Sequence, residues 1–181
     1  MRREVQRFAL ASIPSPLGAL QVIHDGAGVL RALDFPEYEA RLHRLLRLHY
    51  GVHGYTLAPK PAPRALESAL DAFFAGDVEA IDSLVVRTGG TEFQRLVWAA
   101  LRRIPASTTT TYGQLAAAIG RPDAIRAVGL ANGANPVAIV VPCHRVIGSG
   151  GSLTGYGGGL ERKRWLLAHE RASVGHRRAS A

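Results

Sequence analysis

The sequence predicts an α/β (α+β) fold in two parts: a small N-terminal sheet domain with covering helices, then a mostly helical C-terminal domain containing a helix-turn-helix. Three observations carry this. Three short apolar runs near the start are separated by turn signals; Gly89-Gly90 precedes a long helical period; and two further helical runs are joined by Gly120-Arg121-Pro122-Asp123. At 181 residues the chain can bury a core without disulfide or metal staples. Its 47% apolar and 20% charged residues exclude a disordered or collagen-like chain, despite 20 Gly and 10 Pro.

Residues 7–13, 19–24 and 29–35 read as strands, because the short links Pro14-Ser15-Pro16-Leu17-Gly18 and Asp25-Gly26-Ala27-Gly28 favour an antiparallel meander. Residues 37–50 place Leu42, Leu45, Leu46 and His49 at helical spacing between arginines, an amphipathic helix suited to cover that sheet. After the break at Pro59–Pro63, residues 64–75 form a second helix with Leu66, Leu70, Phe73 and Phe74 on one side and Gly76 placed to end it. Gly89-Gly90 marks the boundary between an N-terminal α/β domain (1–88) and a second domain (89–170), with a basic tail over 171–181. Thr91 caps a helix carrying Phe93, Leu96, Val97, Ala100, Leu101 and Ile104, which Pro105 stops. Residues 112–119 and 124–132 have helix-turn-helix spacing, with Asp123 able to cap the second helix; a plain αα-hairpin fits the same pattern. The uniform apolar run 136–141 reads as a buried strand, and 160–170 as a closing helix ending on Glu170.

The net charge of +8 is unevenly placed. Residues 1–88 are balanced, whereas 89–181 oppose twelve basic groups with only Glu92, Asp123, Glu161 and Glu170. The second half is therefore the candidate polyanion binder, although a solubilising surface ending in Arg171, Arg177 and Arg178 gives the same arithmetic. The single Cys excludes an internal disulfide and zinc-ribbon spacing, and points to a reducing, cytoplasmic setting. No uninterrupted apolar segment reaches the roughly 20 residues of a membrane span, and no secretory leader pattern is present, so no membrane association is expected.

Cys143 ends the apolar run beside His144 and Arg145, both of which favour a thiolate; an inert core cysteine is the alternative. Adjacent side chains on a strand face opposite ways, and Pro142 cannot donate to a ladder, so a turn is expected here. Glu170 at a helix C-terminus opposes the macrodipole and calls for a partner, for which His144 is the candidate. Seven of the twelve residues from 148 to 159 are Gly, either a flexible linker or a loop whose backbone a flat group approaches. No P-loop or dinucleotide fingerprint is complete there.

Pro142-Cys143-His144-Arg145, with Tyr112-Gly113-Gln114-Leu115-Ala116, Arg126-Ala127-Val128-Gly129, Ala134-Asn135-Pro136-Val137 and Gly155-Tyr156-Gly157-Gly158-Gly159-Leu160, strongly resembles the O6-alkylguanine-DNA alkyltransferases, also called methylated-DNA–protein-cysteine methyltransferases. The resemblance spans residues 91–170; residues 1–88 match in outline the family's variable, ribonuclease-H-like small domain. It implies direct-reversal DNA repair: irreversible transfer of a methyl (alkyl) group from guanine O6, and from thymine O4, in duplex DNA to Cys143, once per molecule. By the same resemblance His144 is the base, acting through a water, Glu170 orients it, and Asn135 ties the helix-turn-helix to the thiol segment. Arg126 is the finger that fills the space of the extruded nucleotide, Tyr112 turns the phosphate and donates to the base, and Arg121 and Arg145 are further DNA contacts. Val146, Tyr156, Gly157 and Tyr112 line the base pocket. The partner is double-stranded DNA containing O6-alkylguanine, docked by its minor groove; a monomer is expected, with no cofactor and no metal. Zinc-binding relatives use an N-terminal Cys that this chain lacks.

Two departures stand out. Gly157 replaces a Ser of some relatives, removing a hydroxyl contact to O6, and 107–111 is Ser-Thr-Thr-Thr-Thr, which has no consequence derivable from sequence. Two rivals remain: a non-catalytic damage-recognition protein, whose motif lacks the Cys, and a Cys-His hydrolase, for which no distant His/Asn spacing is recognisable.

Overall fold

The computed structural model describes residues 5–179, with side chains through Ser173. Strands β1 (Gln6–Ile13), β2 (Leu20–His24) and β3 (Leu30–Asp34) form the expected antiparallel meander, with Ile13 opposite Leu20 and Gln21 opposite Asp34. Its links are short enough that each strand pairs with the next. Alternation along β2 sends Leu20 and Val22 to one face and Ile23 to the other, so the sheet is covered on both sides. Helix α1 (Glu39–Tyr50) lays Leu42 and Leu46 against Phe8, Ile23 and Ala32 on one face. On the other face helix α2 (Arg64–Phe74) buries Leu66, Leu70 and Phe73 in a core that continues into the second half of the chain.

A fourth strand, β4 (Tyr55–Pro59), pairs parallel with β1 and gives the order β3-β2-β1-β4. Its half-exposed, five-residue pattern carries no strong alternation, so nothing local in the sequence marks it as a strand.

The outer edge of β3 is where the two halves join. Leu30 N–H donates to the Val85 carbonyl and Arg87 N–H to the Leu30 carbonyl, each at 2.9 Å. Farther along, Leu33 N–H donates to Pro136 O at 2.9 Å and Ala138 N–H to Leu33 O at 2.8 Å. An edge that would otherwise present unpaired backbone groups thus anchors the segment leading to Cys143. Gly89-Gly90 is packed as well: a Cβ on Gly89 would lie 2.5 Å from His49 Cβ.

Helix α3 (Glu92–Leu101) starts on Thr91 in a reciprocal capping box with Gln94. A two-stranded parallel ladder joins β5 (Thr110–Thr111) to β6 (Val146–Ile147). Thr111 then caps α4 (Tyr112–Ala118) with Gln114, so the Thr run does have a structural use. Helix α5 (Ile125–Gly133) packs against α3 and α4. Three expectations are corrected. Asp123 does not cap α5: Ala124 holds that position without a side-chain bond. Residues 136–141 are buried but form no strand: Ile139 has φ +70°, Val141 N–H turns back to Val137 O at 3.0 Å, and β3 takes only one bridge from Val137. Apolar content reported burial and said nothing of the turn. Finally, α6 (Leu160–Ala179) does not end at Glu170 but runs nine residues beyond it. Arg171 is exposed on it, while Arg177 and Arg178 lie outside the described side chains.

Candidate active site

Asn135 follows α5 and organises the segment that carries the thiol. Its Oδ1 accepts from Val137 N–H at 3.0 Å, and its Nδ2 donates to Val141 O at 2.8 Å and to Cys143 Sγ at 3.1 Å. A buried amide thus supplies the bonds a strand ladder would have given, and aims a donor at the sulfur. The backbone then turns through a 3₁₀ segment, Cys143–Arg145, as the Pro142 argument required.

The turn sends His144 and Arg145 to the same carboxylate. His144 Nε2 lies 2.8 Å from Glu170 Oε1. Arg145 Nε reaches both Glu170 oxygens at 3.1 and 3.0 Å, its Nη2 reaches Oε1 at 2.8 Å, and its Nη1 donates to Ile104 O at 2.6 Å. Ser107, held at φ +65°, completes the set with its N–H on Oε2 at 3.0 Å. Glu170 projects from the interior of α6, so the macrodipole reasoning that called for a partner does not apply; the partner itself is present. Arg145 is corrected as a DNA contact: it is buried, with its guanidinium turned onto Glu170.

The charges follow from this geometry. Burial alone would raise the Glu170 pKa, but His144 and Arg145 outweigh it and hold the carboxyl down at about 2. Burial lowers the His144 pKa against the pull of Glu170, leaving a neutral imidazole. A carboxylate accepts only, so Nε2 carries the ring proton and Nδ1 presents its lone pair. Nδ1 is buried without a protein partner among the described residues. Burial pushes the Cys143 thiol up, opposed by the Asn135 bond and by the charges of Arg41 and Lys163.

Two residues absent from the sequence reading complete the surroundings. Lys163 on α6 is fully buried and donates through Nζ to Val146 O and Thr154 O, both at 2.6 Å, tying β6 to the glycine-rich loop. The signal was available: Lys163, Leu166, Leu167 and Glu170 share one helical stripe with a charge at each end. Arg41 of α1 pairs with buried Asp34 and donates to Asn135 O at 3.0 Å and Gly133 O at 3.3 Å. A Cβ on Gly157 would stand 2.4 Å from Arg41 Cζ, and one on Gly158 2.6 Å from Phe35. The loop is therefore packed against the first half of the chain, and the flexible-linker reading of its glycines fails.

Tyr156 sets its ring edge-on to His144, centroids 6.4 Å apart, with its hydroxyl buried and without a partner among the described residues. Val146 is fully buried, and its carbonyl is taken by Lys163. Tyr112, half-buried at the start of α4, packs on Gly129 of α5, and its hydroxyl accepts from Thr154 Oγ1 at 3.4 Å. Arg126 and Arg121 are exposed on the outer side of this helix pair, and Arg121 borders a groove with Glu92, Phe93, Arg95 and Leu96. The arrangement offers a buried thiol beside a neutral imidazole set by a carboxylate, next to a basic helical surface.

Comparison with known proteins agrees with that chemistry. Residues 92–172 match the family model described as 6-O-methylguanine DNA methyltransferase, DNA binding domain. The chain is 54% identical over 164 residues to the methylated-DNA–protein-cysteine methyltransferase of Salmonella typhimurium, covering 91% of this chain and 96% of that protein. It is 45% identical over 166 residues to the Mycobacterium tuberculosis protein of the same name, covering 89% and 91%. The crystal structure of M. tuberculosis OGT in complex with DNA superposes with a TM-score of 0.75 at 42% identity, over 91% of this chain and 94% of that one. The O6-methylguanine-DNA methyltransferase of Pyrococcus kodakaraensis gives 0.68 at 26% identity, over 90% and 98%.

Proposed function

Because the chain belongs to the methylated-DNA–protein-cysteine methyltransferase family, and so repairs DNA by direct transfer of an alkyl group to a cysteine, we propose that Cys143 is the acceptor and that each molecule acts once on O6-alkylguanine, or O4-alkylthymine, in a duplex. The observation that carries the assignment is the continuous buried chain from Asn135 through the Cys143 turn to His144 and Glu170.

The resting thiol is kept protonated by burial, so the thiolate forms at the moment of transfer. His144 Nδ1 takes the Sγ proton through a bridging water, while Nε2–H stays on Glu170 and steadies the imidazolium. Sγ attacks the alkyl carbon in line with the leaving O6: the S–C bond forms, the C–O bond breaks, and the electron pair remains on the guanine, which Tyr112 protonates. A thioether has no easy hydrolysis, and this limits the protein to one event. Lys163 and Arg41 favour the thiolate and hold the loop that walls the pocket with Val146, Tyr156 and Gly157.

Cys143 is only 5% exposed, so its substrate must be brought to it rather than met in the stack. We read α4 and α5 as a helix-turn-helix that docks the duplex, with Arg126 entering where the nucleotide is extruded and Arg121 on phosphate. Residues 1–88 form the supporting domain and 89–170 the alkyltransferase domain, with α6 continuing beyond. Among the described residues no helix is long and apolar enough to cross a membrane, and a cytoplasmic, DNA-associated monomer is the corresponding reading.

The assignment is tested with duplex carrying O6-methylguanine labelled on the methyl. Wild-type protein takes up the label, and Cys143→Ser leaves it on the DNA; label uptake by Cys143→Ser would remove Cys143 from its role.

A further inference from the structure

We infer that Leu130 is a second, apolar contact of the DNA-facing helix, wedged against the duplex one helical turn beyond Arg126. The inference rests on the alkyltransferase reading and adds a residue which that reading leaves without a task.

Leu130 is 71% exposed, the most exposed of the large apolar side chains described. It stands at i+4 from Arg126 on α5, on the same face and about 6 Å along the axis. The rest of that face is Ala127 and Gly133, both exposed and short. Ile125 differs: although half exposed, it faces the start of α4, with its Cδ1 3.7 Å from where a Gly113 Cβ would stand. Among the described residues Leu130 joins neither core cluster.

The chemistry of this face selects its mode of contact. A helix that reads bases from the major groove, about 8.5 Å deep, needs several long hydrogen-bonding side chains. Here there is one cation and one aliphatic side chain on a floor of small residues, which lets the helix backbone approach closely. Proteins that open the minor groove use that combination, inserting apolar side chains at base steps beside Arg. Steps along one strand are about 3.4 Å apart, so a separation of about 6 Å places Leu130 roughly two steps from Arg126. There it presses on sugar and stacked bases flanking the vacated position and resists their collapse while the base is out.

The test compares wild type with Leu130→Ala, Leu130→Met and Arg121→Ala, binding unmodified duplex across a salt series, alongside methyl transfer from O6-methylguanine duplex. Leu130→Ala is expected to bind about fivefold more weakly with an unchanged slope of log K against log salt, whereas Arg121→Ala, which loses a phosphate contact, lowers that slope by about one. Leu130→Met, which restores an apolar projection, stays within about twofold of wild type. Affinity of Leu130→Ala within about twofold of wild type throughout overturns the inference. So does a changed slope, which would make the effect electrostatic, or self-association of wild type that Leu130→Ala abolishes, which would make the face an interface between copies. If wild type takes no methyl yet Leu130→Ala still weakens duplex binding, the alkyl-transfer reading falls and the wedge stands.

Discussion

Glu170→Gln removes one charge and almost no volume from the centre of the site. The glutamine keeps an oxygen for Ser107 N–H or Arg145, but its amide must point N–H groups at the His144 Nε2–H or at a guanidinium that has no acceptor to offer. Glu170 in the native chain receives the buried side chains of His144 and Arg145 and the backbone N–H of Ser107. Arg145 would keep its charge but lose the carboxylate bonded to it, with Nη1 still on the Ile104 carbonyl. Breaking a buried pair by removing one partner costs about 3–5 kcal/mol, which in a chain of this size is a fall in Tm of about 6–20 °C. Replacing Arg145 as well removes the stranded charge, so Glu170→Gln with Arg145→Met should be more stable than Glu170→Gln alone. Urea unfolding of the two single variants and the double variant measures the cycle, and methyl transfer to Cys143 in the folded fraction reads the chemistry, which should slow at least about tenfold in every variant lacking the carboxylate. A Glu170→Gln protein within about 1 kcal/mol of wild type, or a double variant less stable than both singles, would refute the buried-pair reasoning.

Acid should destabilise the fold in two stages. Burial holds His144 and His49 below their usual 6.5, so the unfolded chain binds more protons and stability drops as pH falls below about 6.5; Glu170, depressed from 4.5 to about 2, adds a further loss between those values. Urea titrations at stepped pH check this, and stability rising on acidification would contradict it. Gly157→Ala should cost about 1.5–3 kcal/mol by driving Arg41 off Asp34 and the Asn135 carbonyl, and should cost little more once Arg41→Ala is present; full additivity in urea unfolding would argue against the contact. Lys163→Met strands two carbonyls at about 1–3 kcal/mol each, and hydrogen exchange should report lost protection around Thr154 and Gly155; unchanged exchange there would dismiss its tie to the loop.

What the sequence shows and hides divides along physical lines. Periodicity located α1 and α2 within a residue or two, because each buries one stripe, and Thr91 marked the start of α3, although the apolar pattern ran on to Ile104, three residues past the helix end at Leu101. The meander was legible because its links are too short for any other pairing. Strand β4 was hidden: its partner β1 is remote in sequence and half its residues face solvent. The run 136–141 shows the limit of hydropathy, since burial is common to strands and buried turns and only the Asn135 side chain distinguishes them. Within the site, the adjacency of Cys143 and His144 and the need for a turn were readable, as was a His144–Glu170 pair. Arg145 was misread because basic residues beside a DNA-binding surface look alike until one is seen to point inward. Arg41 was invisible for a related reason, since nothing local links α1 to Gly157.

Mass measurement of the protein after reaction with excess O6-methylguanine duplex tests the role of Cys143 most directly. One added methyl group per molecule is expected, carried by the peptide containing Cys143, with as many repaired guanines as protein molecules. Repair in excess of protein with an unmodified Cys143 peptide, or a methyl group found on another residue, would contradict it.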